Sequence, residues 1–142
     1  RSTFCTGGGG GRSDTRKPEN NWRFNKAKGG GSIYDLACYN IHHARSVFGE
    51  EPVRVFASQE LGIEADDAAS IVLVFDRGRT AQISVGFNSF SSQYAEISGS
   101  SGILRLDSVW NNENRMVSLE HRSIDGVEMI EFEPCVEVRS WS

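Results

Sequence analysis

The sequence predicts an α+β fold, in which a mainly antiparallel, open-faced β-sheet carries a long helix packed on one face. Two observations support this prediction. Apolar residues recur at helical spacing in one place, residues 33–48, and from Val53 onward the apolar period changes to that of a strand. The strand-like segments are joined by short loops, which connect neighbouring antiparallel strands. We therefore expect one long helix and about seven strands.

The predicted helix has well-marked ends, because Ser32 is a suitable N-cap and Gly49 a suitable stop. Its core stripe consists of Ile33, Leu36, Ala37, Ile41, Ala44, Val47 and Phe48. A polar stripe at i, i+4, i+7 and i+11 consists of Asp35, Tyr39, His42 and Ser46. One helix therefore carries both a core face and a face available for chemistry.

The strands are predicted from alternation and from the turn residues between them. They span residues 1–6, 53–59, 70–75, 80–88, 93–98, 103–106, 115–120 and 127–132. Tight turns are expected at Asp76-Arg77-Gly78-Arg79 and around Asp125-Gly126.

The strand at residues 70–75 is apolar on both faces. Val72 and Val74 point away from Ile71 and Leu73, which predicts a central strand buried from both sides. Because one helix covers only one face, we expect the opposite face to be a partner surface and the chain to form a homo-oligomer through its sheet.

Composition and charge exclude several classes of function. With 142 residues, 38% hydrophobic and 24% charged, the chain resembles one soluble globular domain. The formal net charge of -4 would repel a phosphate backbone, so we expect no nucleic-acid partner. No apolar run approaches the roughly 18 residues that would cross a membrane. The widely spaced Cys5, Cys38 and Cys135 form no Cys-x-x-Cys pair, which predicts reduced thiols, no metal site and a cytoplasmic location.

Several segments, taken in order, resemble the start of the C-terminal domain of the Gfo/Idh/MocA oxidoreductases. They are Trp22-Arg23, Gly29-Gly30-Gly31, Asp35-Leu36-Ala37-Cys38-Tyr39, Arg45 and Glu51-Pro52-Val53. These enzymes are two-domain NAD(P)-dependent oxidoreductases that act mostly on sugars, polyols and related compounds. The resemblance implies that residues 1–142 form a single substrate-binding and oligomerisation domain, in a chain that lacks the N-terminal Rossmann domain. It also implies NAD or NADP as the cofactor of the full-length parent.

Asp35 and Tyr39 are the candidate catalytic residues, since they lie one helical turn apart on one face. The resemblance implies that Tyr39 acts as acid/base or orients the substrate, with Asp35 beside it. An ordinary phenol is a poor base at neutral pH, and the family supplies the activating cation from a lysine in the nucleotide-binding domain. Without the resemblance, Asp35 fits a dipole-stabilising carboxylate and Tyr39 a half-buried ring.

Trp22, Arg23 and His42 are the candidate substrate-binding residues. An indole and a guanidinium on a polar loop offer a stacking face and hydrogen-bond donors to a hydroxylated ligand, although Trp22 fits equally well as an anchor to the core. His42 falls close to one turn beyond Tyr39, whereas His43 points elsewhere and is expected at the surface.

Other polar residues fit structural roles. Arg45 is expected to pair with Glu50 or Glu51, and Lys17-Pro18 to form a solvated turn rather than the family's catalytic Lys-Pro motif.

The run of glycines at residues 7–11 is expected to be a mobile loop, because it has no side chains to pack and loses much backbone entropy on ordering. The spacing that follows it matches no phosphate-binding motif. Since no G-x-G-x-x-G follows a strand, we expect the chain alone to bind no nicotinamide cofactor and to turn nothing over. Micromolar binding of NAD or NADP in isothermal titration would contradict this expectation. A non-catalytic β-sheet module that binds a carbohydrate or a protein is the alternative, and the sequence upstream of the chain would discriminate between the two.

Overall fold

The fold is described by a computed structural model for residues 2–5, 16–89, 92–110 and 116–134. These residues form two compact units, Arg1–Ser92 and Gln93–Ser142. The predicted glycine loop at residues 7–11 and the predicted thiol of Cys135 lie outside the described residues.

The first unit contains a four-stranded sheet and the long helix. Its elements are β1 Ser2–Cys5, a π-helical turn Ile33–Ala37 that leads into α1 Cys38–Phe48, β2 Arg54–Leu61, β3 Asp66–Val74 and β4 Thr80–Gly86. The strand order is β2-β3-β4-β1, antiparallel except that β1 runs parallel to β4. The predicted tight turn is present at Asp76–Gly78, where Arg77 adopts a positive φ of 57°.

One face of this sheet packs against the helix and forms the core. The predicted inward residues of β3, β4 and their flanks are all buried, namely Ile71, Leu73, Phe75, Ala81, Ile83, Val85 and Phe87. Leu36, Ala37 and Ala44 are buried on the helix side, and the ring of Phe48 lies 4.5 Å from that of Phe75. Each large apolar side chain buried in this way stabilises the fold by roughly 1.5–3 kcal/mol. The predicted α+β architecture is confirmed.

The predicted core stripe of the helix is wrong at two positions. Val47, assigned to the core, is 40% exposed, because Phe48 makes the contact to the sheet in the last turn. Asn40, which was not assigned, is fully buried. It lies three residues after Ala37 and four before Ala44, so helical geometry places it on the core face despite its polarity. The predicted stop is confirmed, since Gly49 adopts φ 67° and its N–H donates to the carbonyl of Arg45.

The opposite face of the first unit is less covered than predicted. Every residue of β2 is exposed, because β3 is its only strand neighbour among the described residues. Val72 and Val74 are partly exposed, so β3 is buried on its helix side only. The expected partner for this face remains a prediction.

The second unit is an antiparallel sheet of four strands in sequence order. They are β5 Ser92–Ser98, β6 Gly102–Asp107, β7 Val117–Ser123 and β8 Gly126–Phe132. Gly126 has φ 133°, which explains why the Asp125-Gly126 turn joins β7 to β8 as predicted. Within the described residues, no helix has the length and apolar character needed to cross a membrane.

Candidate functional site

The candidate site lies where the loop after residue 20 meets the start of the helix. The loop contains two 3-10 turns, Trp22–Phe24 and Lys26–Lys28. Each turn is capped by an asparagine side chain, since Asn21 accepts from the backbone N–H of Arg23 at 3.1 Å and Asn25 from that of Lys28 at 3.0 Å. The loop backbone is therefore fixed before the glycine run begins.

The glycine run at 29–31 serves close approach of backbone segments. Gly30 N–H donates to the carbonyl of Asn25 at 2.9 Å, and Gly31 N–H to the carbonyl of Arg23 at 2.8 Å. A Cβ atom on Gly30 would lie 2.5 Å from the carbonyl oxygen of Arg23, so a side chain there would push the two segments apart. Glycine at this position holds the Trp22-Arg23 turn against the helix start.

The cap of the helix differs from the prediction. Ser32 caps no backbone N–H with its own side chain. Its Oγ donates instead to Asp66 Oδ2 at 2.6 Å, and the same oxygen accepts from the backbone N–H of Ile33 at 2.9 Å. The capping oxygen therefore comes from β3, because the fully buried Ser32 faces the sheet rather than its own helix.

Three of the predicted site residues come together at the first turn of the helix. Arg23 Nε donates to Asp35 Oδ2 at 2.8 Å, with 15% of the Asp35 side chain and 46% of the Arg23 side chain exposed. The Arg23 guanidinium carbon also lies 4.9 Å from the centre of the Trp22 ring. Arg23 thus bridges the Asp35 carboxylate and the Trp22 indole. The Trp22 ring stacks against the Arg23 guanidinium and is also partly exposed.

Tyr39 and His42 continue the same polar stripe along α1. Tyr39 is 52% exposed, which fits the half-buried ring of the structural alternative as well as an accessible site residue. His42 and Ser46 are exposed as predicted, and Ser46 Oγ donates to the carbonyl of His42 at 2.9 Å. The stripe from Asp35 to His42 spans about 10 Å of helix. It contains the largely covered carboxylate of Asp35 and the exposed side chains of Tyr39 and His42, and all three can hydrogen-bond to hydroxyl groups.

Two flanking predictions need correction and one is confirmed. The predicted Lys17-Pro18 turn exists, because the carbonyl of Lys17 accepts from the N–H groups of Asn20 and Asn21. Lys17 is exposed in this turn, but Pro18 is buried rather than solvated. His43 is half-buried rather than at the surface. Arg45 pairs with Glu51, as expected.

The partial burial of His43 predicts a pH dependence of stability. Burial lowers the pKa of His43, with the charge of the adjacent His42 among the smaller causes. The unfolded chain therefore binds a proton more readily than the folded chain, and stability is lost as pH falls from about 6.5 through the folded pKa. Urea denaturation should show this loss, and His43→Gln should reduce it more than His42→Gln. Equal pH profiles for the native chain and His43→Gln would contradict the prediction.

Two polar residues near the site were not predicted, Asp66 and Asn40. Asn40 donates its Nδ2 to the carbonyl of Leu36 at 3.2 Å, and its Oδ1 has no hydrogen-bond partner among the described residues. It therefore supports the last residues of the π-helical turn, a feature that recurs at functional sites. A polar residue inside an apolar stripe was the available signal for Asn40. No local signal marked Asp66, which lies 34 residues beyond Ser32.

The described residues contain no group of three metal-ligating side chains. The glycine run before the helix resembles a phosphate cradle in composition, yet the amides of Gly30 and Gly31 are bonded to backbone carbonyls. Asp66 also places a carboxylate at the helix start, where a pyrophosphate would have to bind. The glycine run therefore does not fit a dinucleotide.

This chain is similar to several known proteins. The family profile described as GFO/IDH/MocA C-terminal domain matches residues 6–105. The trans-1,2-dihydrobenzene-1,2-diol dehydrogenase of Xenopus tropicalis is 30% identical over 105 residues, which cover 70% of this chain and 31% of that protein. The D-xylose 1-dehydrogenase (NADP(+)) 2 of Haloferax volcanii is 33% identical over 86 residues, or 58% of this chain and 26% of that protein.

A solved structure shares the fold. The 3-ketoreductase KijD10 from Actinomadura kijaniata, in complex with NADP and TDP-benzene, superposes with a TM-score of 0.78 and 20% identity. The match covers 94% of this chain and 39% of the ketoreductase. The chain thus spans roughly a quarter to two fifths of each of these proteins.

Proposed function

Because the chain belongs to the GFO/IDH/MocA family as a C-terminal domain, we propose that it is the substrate-binding and oligomerisation domain of an NAD(P)-dependent oxidoreductase. The substrate we propose is a sugar, polyol or related hydroxylated small molecule. The observation that carries this proposal is the polar stripe, in which the largely covered Asp35 is fixed by Arg23 and followed by the exposed Tyr39 and His42. The diol and xylose named for two relatives are hydroxylated molecules of the same kind.

In the proposed site each side chain has a distinct task. Tyr39 exchanges a proton with the reacting hydroxyl or orients it, because its phenol both donates and accepts hydrogen bonds. Asp35 accepts from a neighbouring hydroxyl with the oxygen that Arg23 leaves available, and His42 binds a hydroxyl further along the helix. NAD or NADP is proposed to bind to a separate nucleotide-binding domain, and a cytoplasmic location remains a prediction.

The function is tested in the protein encoded by the longer reading frame. Reduction of NAD or NADP should depend on an added aldose, polyol or vicinal diol, and we expect at least one of these classes to support it. An upstream sequence of unrelated type, together with no reduction by any class, would contradict the proposal. Such a result would favour a carbohydrate- or protein-binding module.

The proposed oligomer uses the face of the first sheet that points away from the helix. A shallow concavity of about 560 Å³ lies on this face and is lined by Phe56, Ser58, Ser70, Val72, Gln82 and Ser84 among others. Phe56 is exposed on β2 and pairs with the partly exposed Val72 on β3. Apolar side chains on an open sheet face are stabilised by covering them with a second copy.

Sedimentation at micromolar concentration should therefore show a dimer or larger assembly. Phe56→Asp should shift the chain to monomer, because it introduces a charge at the centre of the proposed contact. Val55→Asp is the matched control, since Val55 is similarly exposed on the same strand but points to the other face. A native chain that sediments as a monomer, or equal effects of the two variants, would contradict this interface.

A further inference from the structure

Asp66, at the start of β3, contacts all three residues that lead into the helix. Its Oδ2 accepts from Ser32 Oγ at 2.6 Å and from the backbone N–H of Ile33 at 2.9 Å. Its Oδ1 occupies the space that a side chain on Gly31 would fill. Among the described residues no ion pair to this carboxylate occurs, so neutral donors hold it.

A closed ring of hydrogen bonds connects this contact to the candidate site. Gly31 N–H donates to the carbonyl of Arg23 at 2.8 Å, and Asp35 N–H donates to the carbonyl of Gly31 at 3.0 Å. Arg23 Nε closes the ring on Asp35 Oδ2 at 2.8 Å. Gly31 is the member of the ring that Asp66 touches, and Ser32 alone separates Gly31 from Ile33–Ala37, the helical turn that carries Asp35.

We infer that Asp66 is the positioning residue for the Arg23–Asp35 ion pair. The first turn of a helix has N–H groups without intrahelical partners, and it frays when they are not capped. Asp66 supplies that cap from the sheet and thereby fixes the turn from which Asp35 projects. The inference rests on the proposed function only in treating Asp35 as a substrate-facing group. The claim that Asp66 fixes the hydrogen-bonded ring of Gly31, Arg23 and Asp35 does not depend on that function.

The Nε–Hε signal of Arg23 in a proton–nitrogen NMR spectrum of the 142-residue chain reports on this ring. The signal is assigned by its loss in Arg23→Lys, and its value without the ion pair is given by Asp35→Asn. We expect Asp66→Ala to shift the signal towards that of Asp35→Asn and to speed exchange of Hε with water about tenfold, the scale expected for loss of a helix cap. Asp66→Asn keeps an acceptor oxygen and should restore most of the native signal.

Glu50→Ala is the matched control. Glu50 Oε1 likewise accepts one backbone N–H, from Asp76 at 3.1 Å, and one side-chain donor, Arg79 Nη2 at 2.5 Å, but beyond the other end of the helix. The Arg23 signal should stay native in this variant. An unchanged Arg23 signal in folded Asp66→Ala, or an equal change in Glu50→Ala, would overturn the inference.

If Asp66→Ala does not fold, Ser32→Ala serves in its place, because it removes one of the two donors and leaves the Ile33 amide bonded. It should produce a smaller shift in the same direction, and a native Arg23 signal in Ser32→Ala would then overturn the inference. The measurement needs neither cofactor nor substrate. Its failure is therefore distinguishable from a failure of the oxidoreductase assay, which tests the proposed function alone.

Discussion

Replacing Tyr39 by phenylalanine in the full-length protein should lower turnover by about 100-fold, the usual scale for a lost acid/base group. The reason is that Tyr39, which is 52% exposed, carries the phenol of the polar stripe, four residues after Asp35. Binding of NAD or NADP should be unchanged, because the substitution removes one oxygen from an exposed ring. Initial rates at saturating substrate, together with cofactor titration, measure both effects.

Tyr34→Phe is the matched control for this substitution. Tyr34 also lies at the start of the helix and is 74% exposed, but it is not on the stripe formed by Asp35, Tyr39 and His42. It should retain most of the turnover. Asp35→Asn should act partly through KM, since its proposed task is to position substrate. A Tyr39→Phe enzyme with the native melting temperature and more than half the native turnover would remove Tyr39 from the proposed site.

Those features of the fold that depend on local pattern were predictable from the sequence. The strict alternation of Ala81, Ile83, Val85 and Phe87 predicted a strand with one buried face, and all four are buried. Gly49 was predicted as the helix stop because the left-handed conformation after a helix favours glycine. The exposure of Tyr39 and His42 followed from helical spacing in the same way, whereas the Asp35 side chain is only 15% exposed.

Features that depend on distant contacts were not predictable. Ser32 has the composition of an N-cap, but whether it caps its own helix depends on which strand lies beneath it, and Asp66 on β3 takes over the task. Arg23 was predicted as a ligand contact, and nothing local indicated that it would also bridge Asp35 and Trp22. The exposure of β2 likewise depends on its place at the edge of the described sheet, where β3 is its one strand neighbour.

Replacing Gly31 by alanine should cause a large loss of stability. Gly31 has φ 122°, a conformation that is strained for any residue with a side chain. An added Cβ would also overlap Asp66 Oδ1 and displace the carboxylate that caps the helix. Strain and the lost cap together should cost about 3 kcal/mol, which corresponds to roughly 10 °C in melting temperature.

Gly29→Ala is the control that separates the cost of backbone strain from the cost of the steric overlap with Asp66. Gly29 also has a positive φ, 74°, but a Cβ there would meet no atom within 4 Å, so its loss should be about 1 kcal/mol. In an Asp66→Ala background the carboxylate is absent, and Gly31→Ala should then cost only its backbone strain. Equal losses for Gly29→Ala and Gly31→Ala, or additive losses for Gly31→Ala and Asp66→Ala, would show that Asp66 moves aside without cost. The close approach of Gly31 to β3 would then not be what fixes the start of the helix.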